Sequence, residues 1–153
     1  MGKLETTIRS LARKAEICRE RGQYREAEAF YGQALGLAEE FLQNDDLELA
    51  ELFNNAAVLY KYTGRFDDAQ RLYWRALKIV KAAGDHRFLA GLYHNIGGLE
   101  HARGRFRRGE VFARRSVAER MSRRCSSPSA CTNEADRCSS QCPVVSKHNS
   151  RYR

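Results

Sequence analysis

Nowhere does the chain approach the roughly 18 uninterrupted apolar residues that a membrane span needs. Its first residues, MGKLETTIRS, also lack the apolar core of a secretory signal. Both absences point to a cytoplasmic protein without membrane attachment. No glycine-rich loop follows a strand pattern to cradle a phosphate, and neither a nucleophile elbow nor a metalloprotease helix motif occurs. Neither an enzyme nor a cofactor is expected. Proline is confined to Pro128 and Pro143, and four of the five cysteines, Cys125, Cys131, Cys138 and Cys142, lie in the same C-terminal stretch. Five, six and three residues separate them, unlike the two-residue pairs of zinc fingers and ribbons, and Cys18 makes the total odd. A metal site and a complete disulfide framework are therefore not expected.

What remains is ordinary for a globular domain: 153 residues, 42% hydrophobic and 30% charged. The net charge of +8 is uneven. Residues 1–83 carry 13 Lys and Arg against 13 Asp and Glu, residues 84–120 carry 8 against 4, and residues 121–153 carry 6 against 2. The excess is C-terminal, where a local surplus can form a binding surface.

Three segments share one layout: CRERGQYREAEAFYGQALGLA from Cys18, YKYTGRFDDAQRLYWRALKIV from Tyr60 and EHARGRFRRGEVFARRSVAER from Glu100. They align Gly22, Gly64 and Gly104, then Tyr24, Phe66 and Phe106, then Ala27, Ala69 and Gly109. Two further columns hold Tyr31, Tyr73 and Ala113, and Ala34, Ala76 and Ser116. Before the middle glycine, Leu49, Leu52, Phe53, Ala56, Ala57 and Tyr60 fall at helical spacing, and after it Phe66, Ala69, Leu72, Tyr73, Ala76, Leu77 and Val80 do the same. Each repeat therefore reads as a helix hairpin with glycine at its corner. One hairpin cannot bury its apolar face alone, so neighbours must stack and share a core. The expected helices are 4–20, 24–42, 46–62, 66–83, 86–102 and 106–122, with Asp45 and Asp85 placed to cap two of them.

These columns, with Phe53 and Tyr93 at a large position of the first helix, Ala57 and Gly97 at a small one and Tyr60 at a second aromatic one, resemble a tetratricopeptide repeat array. The spacing of 42 and 40 residues resembles the long-repeat subgroup seen in kinesin light chains and bacterial relatives. The resemblance covers about residues 4–120. It departs at Lys14 and Cys18 in the first repeat and at Gly109, Ala113 and Ser116 in the third. It implies an all-α fold: a right-handed α-solenoid of three hairpins (about 4–43, 46–84 and 86–121, together a domain over 1–121). Gly97 and Gly98 cost about 1 kcal/mol each against alanine in a helix, so the fifth helix is expected to be the softest.

The resemblance also implies a concave groove lined by the first helix of each hairpin, carrying Arg9, Arg13 and Glu16, then Asn54, Asn55, Val58, Lys61 and Tyr62, then His94, Asn95, Gly98 and His101. That surface reads as polar and mildly basic. Asn55 and Asn95 occupy one column of successive repeats, with Arg13 in the same column of the first. A primary amide both donates and accepts, so such a ladder can hold the main chain of an extended peptide. Its other use is to tie neighbouring helices together. Arg13 and Lys61 would supply charge for an acidic peptide. The two-carboxylate clamp of chaperone-binding relatives is not reproduced. His94 and His101 stand seven apart without a third ligand and read as groove residues rather than a metal site.

The function expected is a non-catalytic scaffold or adaptor that binds a protein or peptide partner. The alternative is a nucleic-acid-associated protein using the RGRFRRGEVFARR run of residues 103–115 and the tail. On a second helix, however, Phe106 and Phe112 are wanted by the core, and the arginines become a solvated outer face, so nucleic acid is the less favoured partner. Residues 122–153, rich in serine and almost without apolar period, are expected to be disordered. Val111, Phe112 and Val117 are expected to lack a partner on one side. That suggests self-association there, or a truncated remnant of a longer regulatory protein of this kind.

Overall fold

The computed structural model describes residues 2–41 and 46–125. These form six helices: α1 (Gly2–Glu20), α2 (Tyr24–Phe41), α3 (Leu47–Tyr62), α4 (Phe66–Ala83), α5 (His86–Ala102) and α6 (Phe106–Cys125). They pair as α1 with α2, α3 with α4 and α5 with α6, and successive pairs stack α2 on α3 and α4 on α5. The result is a right-handed α-solenoid of three hairpins, as the columns predict.

Each hairpin turns by one device. Gly22, Gly64 and Gly104 have φ of 75°, 77° and 73°, and nothing among the described residues lies within 4 Å of where a β-carbon would stand. The glycines serve the left-handed backbone and not close packing. In every corner the glycine N–H donates to the carbonyl three residues back, and the next N–H reaches the carbonyl five back: Gln23 to Cys18, Arg65 to Tyr60 and Arg105 to Glu100, each at 2.8 Å. This closes the orphan carbonyls of the helix end.

At the other ends, Asp85 accepts from Phe88 N at 2.9 Å, as expected. The cap of α3 differs. Asp46, one residue beyond the position read from sequence, accepts from Glu48 N at 2.8 Å, and Asp45 lies outside the described residues. Helix α6 runs to Cys125, into the segment expected to be disordered. The rest of that segment, with Cys131, Cys138 and Cys142, lies outside the described residues.

Tyr31, Tyr73, Phe53, Leu49, Leu59, Leu77 and Leu92 are among the largest side chains of a continuous buried core. Phe112 belongs to it as well, against Trp74 and Tyr93 at centroid distances of 6.3 and 6.1 Å. It is covered, contrary to expectation, because α6 folds back on α5 and the Trp74 ring reaches it from α4. Phe106 was assigned to the core but is 63% exposed. In the middle repeat the matching Phe66 is half-buried, with the Arg103 guanidinium 5.9 Å from its ring centre. No arginine lies over Phe106 in this way among the described residues, although the His101 ring of its own hairpin is 5.3 Å from it.

The third hairpin departs from the second at its contact surface. Gly97 and Gly109 replace Ala57 and Ala69, and a β-carbon on Gly97 would stand 3.2 Å from Gly109 O. Gly97 therefore permits a close approach of α5 to α6, and that packing offsets some of the helix propensity it lacks. Glu100 takes the column of Tyr60 and is 2% exposed, with Arg108 Nε at 3.4 Å and an Arg105 Nη at 3.9 Å from its carboxylate.

Candidate functional site

Helices α1, α3 and α5 carry the residues assigned to the concave face, and the structure divides them into three groups. Arg13 and Asn55 line a cleft of about 650 Å³ together with Ile8, Ala12, Leu52 and Phe88 from α1, α3 and α5. Its floor is apolar, since Ile8 is 1% and Leu52 3% exposed. Its rim is charged: Arg9 and Arg13 face Glu16, Glu48, Glu51 and Asp85. Arg9 is held by Glu48 in a two-pronged bond at 2.7 and 3.3 Å, and this bond raises the affinity of its guanidinium for its proton. At this end the surface is more acidic than the mildly basic one read from sequence, because Glu48, Glu51 and Asp85 reach a groove to which they had not been assigned.

The second group is an amide relay. Asn95 on α5 donates to Asn54 Oδ1 at 2.9 Å, and Asn54 donates to Asn55 Oδ1 at 3.1 Å. All three side chains are half-buried. Asn54 is thus spent between its neighbours, joining the second hairpin to the third. The Nδ2 of Asn55 and the Oδ1 of Asn95 have no hydrogen-bond partner among the described residues. One terminal donor and one terminal acceptor are what a single peptide unit needs, although amides can also satisfy each other or water.

The third group lies toward the C-terminal ends of the helices. Tyr62 is 58% exposed, with Lys61 Nζ 5.2 Å and the Arg19 guanidinium 6.0 Å from its ring centre. Lys61 also sits 3.6 Å from where a β-carbon of Gly98 would stand, so it lies over α5. His94 is exposed. His101 is turned to α6: its ring is 5.3 Å from that of Phe106, and its Cδ2 would be 2.4 Å from a β-carbon on Gly109. It packs within its own hairpin and is not brought together with the other groove residues.

Reasoning from sequence missed Glu51, which stands in the column of Arg9 one repeat later, so the signal was present. It also missed Arg19, one repeat before Lys61 in its column. Glu48 and Phe88 had no such signal, because they belong to the first turns of α3 and α5, ahead of the columns used for alignment.

The Tetratricopeptide repeat family model matches residues 6–82 and again residues 48–118. The chain is a tetratricopeptide repeat protein. Repeats of this family generally mediate protein–protein interactions, and its members are typically non-catalytic interaction modules. Among solved structures, BtubC (BKLC) from P. vanneervenii is similar, with a TM-score of 0.72 and 26% identity over 79% of this chain. The chain spans about half of that protein, 49% of its length. The N-terminal domain of stress-induced protein-1 (STI-1) from C. elegans shares the fold, with a TM-score of 0.60 and 14% identity over 76% of this chain and 86% of that one. No curated protein matches. Among the described residues of this tetratricopeptide repeat protein, no helix is long and apolar enough to cross a membrane.

Proposed function

We propose that this protein is a non-catalytic scaffold whose concave face, built by α1, α3 and α5, binds an extended peptide segment of a protein partner. The observation that carries the reading is the relay Asn95–Asn54–Asn55, with an unused acceptor at one end and an unused donor at the other. Fixing the two outer amides before binding lowers the ordering cost of gripping a main chain. Toward the cleft, the apolar floor takes a side chain of the peptide. Toward Tyr62, the charge of Lys61 and Arg19 favours acidic residues.

The phosphate-binding reading of residues 103–115 loses support because most of its arginines are already engaged. Arg103 donates to Gln70 and Asp67, both at 2.6 Å, and its side chain is only 8% exposed. Arg105 and Arg108 face the buried Glu100, Arg114 pairs with Glu110 at 2.6 Å, and Arg115 lies over Tyr93 and Phe112.

The test is capture with the full chain from nuclease-treated lysate at two salt concentrations, followed by tiling each captured protein as short synthetic peptides. One tile should bind with about micromolar affinity. Replacing Asn55 and Asn95 together by alanine should weaken it about tenfold, since each lost hydrogen bond is worth about 0.5–1.5 kcal/mol, and helix content should stay unchanged. An unaltered affinity in the double variant overturns the groove assignment.

A further inference from the structure

The cleft between α1, α3 and α5 carries more information than an apolar floor. Leu47, which is 38% exposed, and the half-buried Phe88 form its wall above the buried Ile8 and Leu52. Gly91, in the column of Glu51, adds no side chain from α5 at that level of the concave face. The space is therefore open: at about 650 Å³ it exceeds what one ligand side chain fills. Around it stand the carboxylates of Glu16, Glu48, Glu51 and Asp85 and the guanidiniums of Arg9 and Arg13.

These charges do not cancel one another. Arg9 is spent on Glu48, and Glu16 has the guanidinium of Arg19 3.8 Å away. Glu51 is exposed and forms no ion pair among the described residues. Neither does Asp85, which uses one oxygen to cap α5. Arg13 has no ion pair among the described residues either, but it stands one turn beyond Arg9 on α1, in the column of Asn55, so its charge belongs to the side of the cleft nearest the relay. The rim is thus divided. It is basic at Arg13 and acidic at Glu51 and Asp85, toward the N-terminal ends of α3 and α5, in a chain whose net charge is +8.

We propose, resting on the groove reading above, that the bound segment carries a large apolar residue and, two positions from it, an arginine or lysine. Residues two apart in an extended chain face the same way, so both side chains enter the cleft together. The apolar one lies against Leu47 and Phe88. The stem of the basic one follows the same apolar surface, and its head pairs with Glu51 and with the second oxygen of Asp85. At the cleft the partner is therefore selected by a charge opposite in sign to the one that the chain's overall balance attracts.

The test uses the full chain and three fluorescein-labelled nine-residue peptides of serine and alanine with a central leucine. Arginine, glutamine or glutamate occupies both positions two residues from the leucine, so the direction in which the peptide lies does not matter. Anisotropy should show saturable binding of the arginine peptide, with the glutamate peptide at least about tenfold weaker and the glutamine peptide between them, as expected when attraction at a partly exposed site gives way to like-charge repulsion. The overall charge of +8 favours the glutamate peptide, so the opposite order requires a local acidic site. Glu51→Lys, a change at an exposed helix position, should abolish the preference for arginine while helix content stays unchanged. The Asn55, Asn95 double alanine variant should weaken all three peptides by a similar factor, since it acts on the main chain. Equal binding of the arginine and glutamate peptides overturns the proposal, and if both then weaken in the double variant the groove reading stands without it. An arginine preference that survives Glu51→Lys overturns the proposal as well. Binding of no peptide, the result if residues 126–153 fill the cleft, also overturns it. Affinities that the double variant leaves unchanged overturn the groove reading and the proposal with it.

Discussion

Gly97 and Gly98 are adjacent in α5, so alanine at either position gains the same helix propensity, about 1 kcal/mol. Only what surrounds each new β-carbon can separate the two variants. At position 98 the nearest atom is Lys61 Nζ at 3.6 Å, the end of a flexible chain in ordinary contact. Gly98→Ala should therefore gain nearly the full amount, about 1 kcal/mol of stability. At position 97 the β-carbon meets Gly109 O at 3.2 Å and Ala113 N at 3.6 Å, both backbone atoms of α6, and Phe112 Cβ at 3.6 Å. To make room α6 has to shift by a few tenths of an ångström, which disturbs the packing of Phe112 on Trp74 and Tyr93 and the 2.8 Å bond from Ser116 to Ala90 O. Overpacking of this kind costs about 1–3 kcal/mol, so Gly97→Ala should range from neutral to about 2 kcal/mol destabilising. Urea unfolding followed by far-ultraviolet circular dichroism measures the difference directly, provided the denaturant slopes agree. Equal stabilisation by the two alanines would refute the close approach of α5 and α6.

Two further outcomes follow from buried tyrosines. The Tyr73 hydroxyl is buried without a hydrogen-bond partner among the described residues, so Tyr73→Phe should raise stability by about 1 kcal/mol; a loss of that size in the same urea assay would mean that the hydroxyl is satisfied. Burial pushes the Tyr31 hydroxyl up to about 12, above the value near 10 of an unfolded chain. The unfolded state therefore ionises first, and the contribution of Tyr31 is complete below about pH 10 and is lost as pH rises toward 12. Unfolding midpoints measured across that range should fall less steeply in Tyr31→Phe than in wild type, and identical slopes would contradict the burial of this group.

The repeat was legible in the sequence because it rests on steric columns that no distant contact can alter. A corner glycine at positive φ and small residues where helices meet leave the same mark in all three copies. Boundaries were less legible: Asp45 and Asp46 are chemically equivalent caps, and only the path of the chain chooses between them. Phe106 was misread because the sequence shows that an aromatic occupies a core column, but not whether another hairpin lies over it. The groove was legible in part. Asn55 and Asn95 stand out by their column, yet the bridging role of Asn54 and the turn of His101 toward α6 depend on how α3, α5 and α6 sit against one another. Glu100 likewise gave no signal, since a charged residue in an aromatic column reads as a surface position until Arg105 and Arg108 fold over it.

A partner peptide lying along the concave face would be gripped by the outer amides of the relay. The most direct measurement is a two-dimensional nitrogen–proton NMR titration of the labelled protein with the binding peptide, watching the side-chain amide resonances of Asn54, Asn55 and Asn95. Large shifts are expected for Asn55 and Asn95, accompanied by backbone shifts in α1, α3 and α5. Undisturbed asparagine amides, with shifts confined to residues 103–115, would contradict it.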